Sequence, residues 1–141
     1  MFLGIEIGGT KLQLGVGTGK DRQLVALERR DVDPRRGGEG IREQIRTVGR
    51  ALVARYDVER VAYGFGGPID AGRGIVTTSH QVTGWDAFQL VEWTEAELAR
   101  PTLLGNDCDA AALAEARIGA GLGAGIVFFV TVGTGVGGGL V

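Results

Sequence analysis

Cysteine is all but missing from this sequence. Cys108 stands alone, which excludes an internal disulfide framework and any zinc site built on several thiolates. Histidine is equally scarce, with His80 as the only example, and it reads as a polar loop residue rather than a ligand. No apolar run approaches the roughly 20 residues needed to cross a bilayer, and Met1 leads straight into Phe2-Leu3-Gly4-Ile5-Glu6-Ile7 without a basic leader. Charge of one sign is lacking too: the formal net charge is −2, with 23% charged and 44% hydrophobic residues. That balance offers no electrostatic footing for nucleic acid or an anionic membrane. The densest basic group, Arg29, Arg30, Arg35 and Arg36, is interrupted by Asp31 and Asp33, as expected for a solvated loop. A single core-forming domain and a reducing, cytoplasmic setting are expected.

What the sequence has in excess is glycine, 26 in 141 residues. The glycines gather at 4–19, 64–74 and 119–139, the pattern of tight turns or ligand-facing loops rather than of a low-complexity tract. Phe2 to Ile7 reads as a strand closed by Gly8-Gly9-Thr10-Lys11. Leu12 to Val16 alternates apolar and polar and predicts a second strand, with Gln23 to Arg29 as a third, antiparallel one. Ile41, Ile45, Val48, Leu52 and Tyr56 mark one face of an amphipathic helix over 40–56. Strands are predicted at 58–65, 102–104 and 126–132, and helices at 85–99, ended by Pro101, and from Asn106 through Ile118. Strands followed by alternating helix and strand indicate an α/β domain with a mixed sheet flanked by helices.

Three segments could carry chemistry. In Glu6-Ile7-Gly8-Gly9-Thr10-Lys11, a carboxylate at a strand end precedes two glycines and a hydroxyl. Glycines let the backbone approach a phosphate, N–H groups and Thr10 can donate to it, and Glu6 can hold magnesium directly or through water. A plain glycine hairpin turn has the same composition. Gly133-Thr134-Gly135-Val136-Gly137-Gly138-Gly139 formally matches a dinucleotide fingerprint. That fingerprint requires a helix next, whereas Leu140-Val141 follows, so a second phosphate-facing hairpin fits better. In Gly105-Asn106-Asp107-Cys108-Asp109, an aspartate lies at a strand-to-helix junction, where α/β sheets present ligands. The helix dipole would favour its ionised form, as a general base requires; simple capping by Asn106 explains the same residues.

The order of Glu6-Ile7-Gly8-Gly9-Thr10, Gly66-Gly67-Pro68-Ile69-Asp70, Gly84-Trp85, Asn106-Asp107 with Ala110 to Glu115, and the 133–139 glycines resembles the ROK family of the actin-like ATPase superfamily. That family comprises bacterial glucokinases, fructokinases, N-acetylhexosamine kinases and sugar-responsive repressors. The resemblance implies an actin-like ATPase (ribonuclease H-like) fold and ATP-dependent phosphorylation of a hexose-type sugar. It implies that Asp107 is the catalytic base and that Asn106, Asp107, Gly67 and Gln81 contact the sugar. Glu6, Gly8, Gly9, Thr10, Lys11, Gly133, Thr134 and Gly135 would serve ATP, with Glu6 on Mg2+. Glu6 stands where many relatives have aspartate, Asp109 where asparagine is usual, and Gln81 where many have a sugar-binding asparagine.

Relatives run to about twice this length, and their second half carries further sugar ligands, a zinc loop and most of the adenosine pocket. The resemblance therefore implies that residues 1–141 are an amino-terminal lobe, inactive alone, with the carboxy-terminal lobe absent from this chain and no zinc site in it. Small-molecule sugar and nucleotide are the expected partners, with no nucleic acid and no membrane. Apolar surface left uncovered predicts a homo-oligomer. A non-catalytic sugar-sensing role is the alternative, and a dinucleotide-dependent oxidoreductase rests on the 133–138 glycine spacing alone.

Overall fold

The computed structural model describes residues 1–132 and 136–141. The chain opens with β1 (Phe2–Ile7) and β2 (Lys11–Gly17), antiparallel through the Gly8-Gly9-Thr10 turn, and β3 (Leu24–Asp31), antiparallel to β2. Alternation decides which way these strands face. Leu3, Ile5, Ile7, Leu12, Leu14 and Val16 are all buried, while Glu6 and Gln13 project from the opposite face.

Helix α1 (Gly37–Arg55) buries Ile41, Ile45, Val48 and Leu52, the predicted stripe, against that apolar face. It starts three residues before the predicted Gly40. β4 (Arg60–Phe65) then lies parallel to β1, and β5 (Ile69–Asp70) pairs with β6 (Ile75–Val76) in a small hairpin. After α2 (Leu90–Leu98), β7 (Thr102–Asn106) joins parallel to β4. The sheet order is β3-β2-β1-β4-β7, so the expected mixed sheet is present. α1 and α2 cover one face, joined to it by a buried Tyr63–Thr94 hydroxyl contact. α3 (Asp107–Ile118) lies over the other face at β4, with the Ala110 Cβ close above Gly64. β8 (Phe128–Val132) and β9 (Val136–Leu140) form a separate antiparallel pair stacked on α3.

Three expectations need correction. The helix predicted for 85–99 begins only at Leu90. Trp85 to Gln89 is held instead by tertiary contacts: Phe88 exchanges two backbone hydrogen bonds with Val76 (2.9 and 3.1 Å), and Trp85 packs edge-on between Phe65 and Phe88. Ala87 adopts φ +50° to make that path. Second, the Arg29–Arg36 group is not one loop, because Arg29 and Arg30 belong to β3 and only Arg35 and Arg36 lie in the short 3-10 turn before α1. Third, β8 begins at Phe128 rather than Ile126, and its Phe128, Val130 and Val132 are exposed together with Val136 and Leu140 of β9.

Candidate active site

Parallel pairing brings the three sequence-predicted segments to one edge. Ile7 of β1 is in register with Phe65 of β4, and Phe65 with Asn106 of β7. Gly8-Gly9, Gly66-Gly67 and Asn106-Asp107 therefore leave the sheet at the same rung, at the carboxyl ends of three adjacent parallel strands. This is where open α/β sheets bind ligands.

Asn106 caps α3. Its Oδ1 accepts from the backbone N–H groups of Cys108 (2.9 Å) and Asp109 (3.3 Å), and its Nδ2 donates to Phe65 O at 3.4 Å. One amide hydrogen is left over for a ligand. The Asp107 carboxylate is half-buried; Oδ1 accepts from Cys108 N at 2.9 Å. Oδ2 points across to Gly66, where any Cβ would stand 3.2 Å from it. A glycine at 66 keeps that oxygen clear. Burial, and then the neighbouring Asp107 charge, push the Cys108 thiol up, so Cys108 is no ready nucleophile.

At the first turn, Gly8 N donates to Lys11 O at 3.0 Å. Gly9 meets Gln81 from the 77–89 segment, and a Cβ there would sit 3.0 Å from both Cβ and Cδ of Gln81. Two regions assigned to different ligands, the phosphate turn and the sugar-side loop, are thus in direct contact. Gly67 N donates to Phe65 O at 3.0 Å, keeping that turn tight beside them. Lys11 is placed differently from the rest. It lies in β2 opposite Asp31, and its ammonium pairs with that carboxylate, whose pKa the Lys11 hydrogen bond lowers. His80 is exposed, as expected for a polar loop residue. Gly133, Thr134 and Gly135 lie outside the described residues.

Glu6 faces the side of the sheet that carries α3. It lines an open groove of about 700 Å³ together with Gln13, Arg29, Gly64 and Asp107. No cluster of three or more potential metal ligands occurs among the described residues. So sparse a carboxylate set suits magnesium carried in on phosphate oxygens, which commonly takes only one or two protein carboxylates and keeps its waters. The donor set fits that mode and does not fit an all-protein cage.

Sequence reasoning missed Arg42. Its Nε and Nη2 donate to Glu39 Oε2 (3.0 and 2.8 Å), and its Nη1 donates to Gly84 O at 2.9 Å. The guanidinium also lies 4.4 Å from the Phe88 ring centroid and 5.2 Å from that of Trp85. With Gly38 N donating to Thr83 O at 2.7 Å, it ties the loop bearing Gln81 to the start of α1. Only the Glu39–Arg42 spacing hinted at this; the partners across the fold left no local signal.

Comparison with known proteins gives one family. The sequence profile of the ROK family matches residues 2–141. The chain is 31% identical over 136 residues to a beta-glucoside kinase of Listeria monocytogenes, covering 96% of this chain and 44% of that protein. A ROK family glucokinase from Streptomyces griseus, solved in complex with glucose and AMPPNP, superposes with a TM-score of 0.87 at 32% identity, covering 99% of this chain and 44% of that one. A ROK family transcriptional regulator, a homologue of the E. coli MLC protein, shares the fold with a TM-score of 0.82 at 20% identity, covering 99% of this chain and 36% of that one. The chain thus spans less than half the length of these relatives.

Proposed function

Since this chain belongs to the ROK family, we propose that it is the amino-terminal lobe of an ATP-dependent sugar kinase acting on a hexose-type substrate. The observation that carries this reading is the common rung from which Gly8-Gly9, Gly66-Gly67 and Asn106-Asp107 emerge, with Asp107 Oδ2 held clear over Gly66.

In this reading Asp107 takes the proton from the sugar hydroxyl that attacks the γ-phosphoryl group. Its carboxylate is braced by Cys108 N, so the acceptor oxygen is aimed without reorganisation. Asn106 offers its remaining amide hydrogen to a sugar hydroxyl, and Gly67 and Gln81 border the same space. The N–H groups of Gly9 and Thr10 would serve the phosphates, the role that the family resemblance also gives to Gly133, Thr134 and Gly135. Lys11, paired with Asp31, braces the β2–β3 edge of the first turn. Glu6 would hold Mg2+ directly or through water; when bound, the ion neutralises charge on the transferring phosphoryl group. The remaining sugar and adenosine contacts, and full activity, belong to the second lobe of a two-lobe protein, and a cytoplasmic setting suits both substrates.

The test is a coupled ADP-release assay on the complete two-lobe protein with a panel of hexoses, ATP and magnesium. Asp107→Asn should lower kcat by about 10²–10⁴-fold, the usual worth of a positioned general base, while sugar binding by calorimetry stays within a few-fold. Retained turnover would remove Asp107 from this role. A protein that binds sugar but never turns over would favour the non-catalytic sensing reading, whose fold is shared by the regulator above.

The apolar face of β8–β9, with Phe128, Val130, Val132, Val136 and Leu140 exposed, further supports self-association of the isolated chain, because a two-stranded ribbon with a bare apolar face gains by burying it. Light scattering across a concentration series should give a mass above the monomer; a constant monomer mass would refute this.

A further inference from the structure

One polar row crosses the open face of the sheet. Glu6 of β1 stands opposite Gln13 of β2, and Gln13 stands opposite Arg29 of β3. Arg29 Nε donates to Gln13 Oε1 at 2.8 Å, and Gln13 Nε2 donates to Glu6 Oε2 at 2.8 Å. Guanidinium can only donate and an ionised carboxylate can only accept, so the amide between them has a single satisfying orientation. The row is polarised from Arg29 towards Glu6.

We infer that Gln13 and Arg29 are positioning residues that aim the Glu6 carboxylate at a phosphate-borne divalent cation. This rests on the proposed role of Glu6 and deepens it. Tethering Oε2 removes most of the rotamer freedom of a three-torsion side chain that would otherwise swing in solvent. The second oxygen, Oε1, has no hydrogen-bond partner among the described residues, and Glu6 lines the same groove as Asp107. Gly64 of β4 stands opposite Glu6 on its other side, so no side chain there competes for Oε1.

The row also accounts for a glutamate at position 6. Aspartate, one methylene shorter, would draw the carboxylate back by roughly 1.5 Å. That takes it beyond hydrogen-bonding range of an unmoved Gln13 amide. Glutamate and Gln13 therefore form a matched pair, with Arg29 fixing which way the amide faces.

The experiment uses the complete protein, with Mn2+ and ADP as the probe, read by titration calorimetry and by the electron paramagnetic resonance signal of bound Mn2+. Gln13→Met keeps side-chain volume and removes the tether; Arg29→Met lies at an exposed position where folding is not at stake. Each should weaken Mn2+–ADP binding about five- to tenfold and leave sugar affinity unchanged. The double variant should be no weaker than Gln13→Met alone, because both act through one row. Binding within twofold of the parent in Gln13→Met and Arg29→Met, with Glu6→Gln still weakening it, would overturn the row. No change in Glu6→Gln would overturn the role of Glu6 itself.

Discussion

The contact between Tyr63 and Thr94 offers a stringent check on how the sheet is joined to its helices. Both residues are buried, Thr94 completely. The two hydroxyl oxygens lie 2.9 Å apart, and the Thr94 hydroxyl donates to Leu90 O at 2.7 Å. Since its only proton is committed there, Tyr63 must be the donor to Thr94. Tyr63→Phe removes one donor and strands nothing, and should cost about 1 kcal/mol. Thr94→Val removes the acceptor and leaves a buried phenol unpaired, with a cost of about 1–3 kcal/mol. The double variant buries two apolar groups of matching shape and should lie well below the sum. Urea denaturation of the four proteins, fitted with a common m-value, reads these differences directly.

Burial also pushes the Tyr63 pKa up. In the unfolded chain the phenol ionises near pH 10, so stability is complete below that pH. It then falls as pH rises, at up to about 1.4 kcal/mol per pH unit, until the folded group ionises as well. Tyr63→Phe should flatten that decline. A Tyr63→Phe cost equal to that of Thr94→Val, or strict additivity, would refute the donor assignment and the sign of the argument with it.

Two further outcomes follow from the site. Gly9→Ala sets a Cβ against the exposed Gln81 side chain and should destabilise the chain by about 0.5–1.5 kcal/mol, the cost of pushing that side chain off its rotamer; Gln81→Ala should relieve most of it, and failure of that rescue in paired urea melts would disprove the contact. Asn106→Ala removes the acceptor for two N–H groups at the start of α3 and should lower stability by about 1 kcal/mol, while Asn106→Asp keeps the cap oxygen but sets a carboxylate oxygen against Phe65 O and should recover only part of that loss by the same measurement.

Much of this architecture is local chemistry and was therefore readable. The Gly8-Gly9 turn, the Ile41–Leu52 stripe and the Asn106 cap each depend on residues within a few positions of one another. The ROK resemblance then joined the separated segments into one site, and the actin-like α/β fold it implied is the one observed. What stayed hidden depends on distant partners. Trp85 to Gln89 has a helical composition, yet two backbone bonds to Val76 and the aromatic contacts of Trp85 outweigh that preference. Lys11 looks like a phosphate ligand from its motif, and only the β2–β3 register reveals Asp31 beside it. Gln13, Arg29 and Arg42 carry no motif, because their meaning arises from which strand or loop lies next door.

The common rung has a dimensional consequence. Adjacent strands are spaced by about 4.8 Å, so the end of β1 and the end of β7 stand about 10 Å apart whatever residues occupy the turns beyond them. The backbone acts as a ruler, set by peptide hydrogen bonds rather than by side chains. Residues past the rung can then change without altering the distance between the Gly8-Gly9 turn and Asp107 at their points of departure. A one-residue deletion inside β4 would leave that spacing intact but slip its register against β1 and β7, turning the slipped side chains to the opposite face of the sheet.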